Sequence, residues 1–215
     1  MKTDYAAHEA RYREQKANGA DGWDEEDLSA LRARELAWAL STGPMGKRVL
    51  ELGCGAGNLA SLLVQQGFDV TGVDVSPTAI AWARERVPAA KFVVADVTQP
   101  ISGTFDWVID SHCLHCIIGA DRARVLENVF NALSVGGRFF VSTMCGEVTM
   151  PALRACFDPV SRCQVVNGVA YRFIGAPETI LEELRAAGFD LHSSRIEPRT
   201  SDDDQDNLWA MAIRR

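Results

Sequence analysis

The residues best suited to chemistry lie in one short run, Val49-Leu50-Glu51-Leu52-Gly53-Cys54-Gly55-Ala56-Gly57-Asn58. An apolar stretch passes into three alternating glycines and then into a helical pattern. Glycine is required where backbone turns sharply and must approach a ligand with no Cβ in the way. Three aspartates, Asp74, Asp96 and Asp110, follow at the ends of later apolar runs. An acidic residue at the end of the second such run can hold both hydroxyls of a ribose. Each aspartate alone reads equally well as a cap or a turn residue. All three together with the glycine loop point to one crevice.

The run Asp110-Ser111-His112-Cys113-Leu114-His115-Cys116-Ile117 adds two histidines and two cysteines. A histidine titrates near neutral pH and can accept a proton. Zinc would need four tetrahedral ligands, commonly as two separated close pairs. No second pair exists, since Cys145, Cys156 and Cys163 are scattered, so no structural metal is expected.

These groups need elements to carry them. Arg48 to Leu52, Asp69 to Val73, Lys91 to Ala95, Phe105 to Ile109 and Arg138 to Thr143 read as strands. Helices alternate with them: Asn58 to Gln66, Ser76 (as N-cap, with Pro77 at the first helical position) to about Arg86, and Arg122 to Leu133. Such alternation demands a parallel sheet covered on both faces. Gly136-Gly137 reads as the turn into the fifth strand. Asn167-Gly168 signals a hairpin between Gln164 to Val166 and Val169 to Phe173. A helix from Pro177 to Ala187 ends at Gly188, and Leu191 to Ile196 and Leu208 to Ile213 form a last, antiparallel pair. Ahead of the sheet, Tyr5 to Lys16 and Glu25 to Leu40 read as helices. Leu28, Leu31, Leu36 and Leu40 line the buried face of the second.

Composition narrows the function. The 215 residues carry 29 acidic against 22 basic side chains, a formal net charge of -7. No basic stripe is visible, which argues against nucleic acid and anionic membrane as partners. Acidic residues gather at Asp24 to Asp27 and Asp202 to Asp206 and read as solvated surface. No apolar run approaches the roughly 18 residues that span a bilayer. The polar start, Met1 to Arg13, lacks a signal-peptide core, so a cytoplasmic protein with six reduced cysteines is expected.

From about Lys47 to Thr143 the sequence resembles the class I S-adenosylmethionine-dependent methyltransferases. The family's first motif, acidic-x-Gly-x-Gly-x-Gly, is matched by Glu51, Gly53, Gly55 and Gly57. The resemblance implies that this loop, with Cys54, approaches the amino-acid part of the cofactor. It further implies that Asp74 binds the ribose, that Asp96 and Val97 lie by the adenine, and that Val75 is a further cofactor contact. Leu114-His115-Cys116-Ile117 looks like the tail of the family's fourth motif, which the donor methyl should face. His112, nearer the strand end, is the better candidate for a proton-accepting contact; His115 reads as a packed, hydrogen-bonded histidine. Tyr12 to Asp24 is similar to the N-terminal segment of thiopurine, thiol and tellurite-type methyltransferases. In that resemblance Gly19, Trp23 and Asp24 match, Tyr12 stands where tryptophan is more usual, and Trp23 lies over the cofactor.

The expected architecture is α/β: a doubly wound, seven-stranded, mainly parallel sheet with its last strand antiparallel. A helical N-terminal lid (1–44) precedes a cofactor-binding core (45–145), an insertion with a small hairpin (146–176) and a final helix and strand pair (177–215), all as one domain. The expected function is methyl transfer from S-adenosylmethionine to a small molecule, releasing S-adenosylhomocysteine, with a soft acceptor (thiol, selenium, tellurium or arsenic) placed first. His112 is the candidate catalytic residue, with Cys113, His115 and Cys145 as candidate substrate contacts. Alternatives are an oxygen or nitrogen acceptor and a non-catalytic cofactor-binding protein. A nicotinamide enzyme would prefer Gly-x-Gly-x-x-Gly.

Overall fold

Alternation of side chains along each strand decides which layer it serves. On one strand Val49 faces one way and Leu50 and Leu52 the other; on another, Trp107 and Ile109 oppose Val108. A strand that is apolar on both faces must be covered on both. The computed structural model describes residues 6–20, 22–23, 29–44 and 46–215. Helices α1 (Ala6–Ala17) and α2 (Ser29–Ser41) precede strand β1 (Arg48–Leu52). There follow α3 (Asn58–Gln65), β2 (Asp69–Asp74), α4 (Pro77–Arg86), β3 (Lys91–Val94) and β4 (Phe105–Ser111). Then come α5 (Ala120–Ala132), β5 (Leu133–Met144), α6 (Pro151–Arg154) and the short strands β6 (Phe157–Asp158), β7 (Cys163–Val166) and β8 (Val169–Phe173). Helix α7 (Pro177–Ala186) leads to β9 (Asp190–Glu197) and β10 (Asn207–Ile213).

Seven strands form one sheet in the order β3-β2-β1-β4-β5-β10-β9, with β10 antiparallel to both neighbours. Order reverses beside β1, whose partners are β2 and β4, and open α/β sheets bind ligands at such a point. One core joins Leu36, Leu63 and Ile80 of α2, α3 and α4 to Val49, Trp107 and Phe140. The opposite core joins Leu126 and Leu184 of α5 and α7 to Leu50, Val108 and Phe139. Each such fully buried side chain contributes about 1.5–3 kcal/mol by leaving water. Ser76 caps α4, its Oγ accepting the Ala79 N–H at 3.0 Å, with Pro77 behind it.

Two expectations change. The fifth strand begins at Leu133, not after the Gly136-Gly137 pair, because Gly136 at φ +78° is absorbed as an irregularity within the strand. The hairpin is present, with Asn167 and Gly168 both at positive φ, but β6 extends it to a three-stranded sheet. Tyr5, Asp24 to Asp27 and Leu28 lie outside the described residues. Among the described residues no helix is long and apolar enough to cross a membrane.

Helix α1 is held to the N-terminus of α4 by one carboxylate. Glu9 accepts from Ser76 Oγ at 2.6 Å, Thr78 Oγ1 at 2.7 Å and Arg13 Nε at 2.6 Å. Partial burial would raise its pKa, but the Ser76, Thr78 and Arg13 hydrogen bonds outweigh it and hold the group at about 2 against the ordinary 4.5. A carboxyl depressed on folding stabilises fully above its ordinary pKa and ceases to do so as pH falls through the folded value. Glu9→Gln should therefore weaken α1 docking by about 1–2 kcal/mol at neutral pH. It should also remove the part of the acid sensitivity that falls between pH 4.5 and about 2. Amide hydrogen exchange within α1 reads both; identical exchange in variant and wild type would show that the contact carries no docking energy.

Candidate functional site

The carboxyl ends of β1, β2, β3 and β4 open into a cleft of about 550 Å³, roofed by α1 and Trp23. Gly53, Cys54 and Gly55 form its floor. Gly55 sits at φ +53°, and a Cβ there would lie 2.6 Å from Tyr12 Oη. Glycine is thus needed for both conformation and space. Gly57 behaves differently from expectation. It does not line the cleft; it starts α3 in the left-handed conformation at φ +81°, and a Cβ there would also crowd Ala83 Cβ at 3.2 Å and the Phe92 ring at 3.4 Å.

Asp74 lines the cleft and ties it together. Its Oδ2 accepts the Gly55 N–H at 3.0 Å and its Oδ1 the Ser76 N–H at 2.8 Å. Burial pushes its pKa up against those hydrogen bonds. Glu51, 4% exposed, also lines the cleft; burial pushes it up to about 8, and its Oε2 has no partner among the described residues. Val75, Asp96 and Val97 complete this side, Asp96 Oδ1 accepting from Thr98 N–H at 2.8 Å and Thr98 Oγ1 at 2.7 Å. Asp110 does not join them. It is fully buried outside the cleft, its Oδ1 capping the 3₁₀ turn Leu114–Cys116 through the N–H groups of Cys113 (2.9 Å) and Leu114 (2.8 Å). The convergence of three strand-end aspartates is corrected to Asp74 and Asp96, joined by Glu51.

The roof supplies His8, Arg11, Tyr12 and Trp23. The Trp23 ring stands 5.3 Å from His8 and 5.0 Å, edge-on, from Tyr12, and its carbonyl accepts from Gln15 Nε2 at 3.2 Å. Arg32 of α2 and Arg172 of β8 add two more cations to the wall.

His112 lines the far end, at φ +69°, a conformation uncommon for a residue with a Cβ. Its Nε2 meets Glu35 Oε1 at 3.1 Å. His115 also lines the cleft, its ring 5.6 Å from that of His112. Burial drives its pKa well below the usual value, so the ring is neutral, and its Nδ1 has no partner among the described residues. It is packed as expected but not hydrogen-bonded at that nitrogen. Cys113 and Cys116 line the cleft, whereas Cys145 does not. Cys145 is fully buried, its N–H given to the Asp206 carbonyl at 2.8 Å, so its expected substrate contact is withdrawn. No group of three His, Cys, Asp or Glu suited to a metal occurs among the described residues.

Sequence reading passed over Glu35. Its signal was a carboxylate in step with Leu31 and Ala39 on the face that the α2 pattern marks as buried. Arg172 had no comparable signal, since only the hairpin's position over the cleft brings it there.

Residues 50–141 match the family model described as "Methyltransferase domain". Trans-aconitate 2-methyltransferase of Rhodopseudomonas palustris is 40% identical over 115 residues, 47% of this chain and 44% of that protein. The chain spans about half the length of the curated relatives it matches. The 1,6-didemethyltoxoflavin-N1-methyltransferase of Burkholderia thailandensis, solved with its acceptor and S-adenosylhomocysteine, superposes with TM-score 0.71 at 24% identity, over 97% of this chain and 88% of that one. The TehB-like SAM-dependent methyltransferase of Corynebacterium glutamicum gives 0.62 at 23%, over 98% and 100%. At these identities the structures establish the fold and carry no acceptor with them.

Burial raises the cleft thiols, Cys116 to about 11 and Cys113 well above the usual value, and raises Cys145, away from the cleft, to about 12. At pH 7.5 the Cys116 thiolate fraction is on the order of 10⁻³ or less. Iodoacetamide should therefore modify none of the three within minutes at that pH, as peptide mapping by mass spectrometry would show; rapid alkylation of Cys113 or Cys116 would contradict their raised thiol pKa values.

Proposed function

We propose, on the premise that residues 50–141 belong to the methyltransferase-domain family and that the described chain carries its fold, a methyl transfer from S-adenosylmethionine to a small molecule. The observation that carries this reading is Glu51. Its buried Oε2, without a partner among the described residues and beside the Gly53–Gly55 floor, suits a charged donor such as the ammonium of the cofactor's amino-acid part, which would favour the ionised carboxylate that burial alone disfavours. Asp74 keeps acceptor capacity for ribose hydroxyls beyond its two backbone contacts, and Asp96 with Val97 suits the adenine side. When bound, the cofactor supplies a methyl group already activated on a sulfonium. The chain then has to align and to exclude water. Trp23 and Tyr12 over the cleft suit the second task. The cleft volume suits a metabolite-sized acceptor, and a net charge of -7 disfavours a polyanion.

A soft acceptor is the second reading. The N-terminal resemblance and the two cysteines on the cleft wall favour it, but burial keeps both cysteines as thiols.

S-adenosylmethionine and S-adenosylhomocysteine should both raise the melting temperature by mass action, and NAD should not. Gly55→Val should abolish the shift, since its side chain enters the space held by Tyr12 Oη. By calorimetry Asp74→Ala should lose about 1.5–3 kcal/mol of S-adenosylhomocysteine binding. Stabilisation by NAD with no response to either sulfur compound would overturn the reading.

A further inference from the structure

Glu35 is fully buried, and it reaches the site from α2 rather than from the sheet. A buried carboxylate is unfavourable by several kcal/mol unless its lone pairs are satisfied. Three donors do so: Ser142 Oγ at 2.6 Å, Ser111 Oγ at 2.8 Å and His112 Nε2 at 3.1 Å. The two serines are register partners on β4 and β5, so they present a paired hydroxyl cradle beneath α2. An apolar residue at position 35 would leave the Ser142 and Ser111 hydroxyls and His112 Nε2 without their shared acceptor, so the carboxylate and its three donors form one interdependent set.

An ionised carboxylate only accepts, so the His112 proton sits on Nε2 and Nδ1 is the basic nitrogen. The ring is further fixed by its backbone, since the His112 N–H donates to the Ser142 carbonyl at 2.9 Å. Holding a non-glycine residue at φ +69° strains the backbone, and such strain clusters at functional sites. His112 thus combines a fixed tautomer, a strained backbone and a place on the cleft wall.

We infer that Glu35 is the positioning residue of a carboxylate–histidine pair in which His112 takes a proton from the methyl acceptor, and that the acceptor is therefore a hydroxyl or an amine. This rests on the methyl-transfer reading. The acceptor's O–H or N–H bond breaks, its proton goes to Nδ1, and the electron pair stays on oxygen or nitrogen to form the bond to the methyl carbon. The positive charge lost from the sulfonium reappears on the imidazolium, which Glu35 stabilises. A thiolate would need no such base. Burial works against charge on His112, but Glu35 and then Asp110 favour it, while Arg32 opposes it and the neutral His115 ring lies 5.6 Å away. The balance raises the His112 pKa.

The test uses the full chain. Histidine ¹⁵N and ¹³C NMR titration, with His112→Gln to assign the signals, should find His112 as the Nε2–H tautomer with a pKa above the usual 6.5. In Glu35→Gln that pKa should fall, and the acidic limb of the pH–rate profile should move down with it, while S-adenosylhomocysteine affinity by calorimetry stays within about twofold. Against catechol and benzylamine as probe acceptors, Glu35→Gln should lower turnover about 10²-fold at pH 7. Transfer to thiophenol should be spared, and Glu35→Asp should restore part of the loss. An unchanged His112 pKa in Glu35→Gln would overturn the pairing. So would an Nδ1–H tautomer in the wild-type chain, which is decisive even should the variant not fold. Transfer to the thiol alone, or to neither oxygen nor nitrogen probe, would overturn the acceptor class. Failure of the wild type to bind S-adenosylhomocysteine would instead remove the methyl-transfer reading, and with it the role assigned to His112.

Discussion

The site depends on the two oxygens of Asp74. One holds the glycine loop after β1 through the Gly55 N–H, and the other holds the N-terminus of α4 through the Ser76 N–H. Ser76 then caps α4 with its Oγ and donates the same hydroxyl to Glu9 of the roof helix. A continuous polar chain thus runs from the floor of the cleft to its roof. Its members are largely withdrawn from water, so each hydrogen bond is costly to leave unmade. Floor, helix and roof are in this way set by one buried carboxylate rather than by independent contacts.

The strands and the glycine loop were legible because each rests on a local rule: period-two alternation, a proline-led N-cap, an Asn-Gly turn. What failed was the direction in which a side chain points at a strand end. β4 was expected to stop at Ile109 but runs to Ser111. Asp110 therefore lies within the alternation and points beneath the cleft instead of following the strand into it. Cys145 fails for the same reason, since its neighbour Met144 lines the cleft and the next residue turns away. Gly57 satisfied the motif, but its glycine is demanded by its own left-handed backbone at φ +81° and by the closeness of Ala83 and Phe92 rather than by the cleft. Glu35 pairs with His112 across 77 positions, and only the folded sheet brings them together.

The helices ahead of the sheet contribute more to the site than a cover would. α1 supplies His8, Arg11 and Tyr12, and α2 supplies Arg32 and the carboxylate behind His112. Sheet residues define the floor and its acidic side, which belong to the segment matched by the family model. The remaining cleft-lining groups come mainly from outside it, from α1, α2 and the β7–β8 hairpin.

Tyr12 Oη stands 2.6 Å from where a side chain at position 55 would begin. The roof therefore does part of what the motif glycine is usually credited with, because it makes that glycine irreplaceable from above as well as from the backbone. Shortening residue 12 would clear the space above position 55 but would not admit a larger residue there, because the backbone at φ +53° still demands glycine.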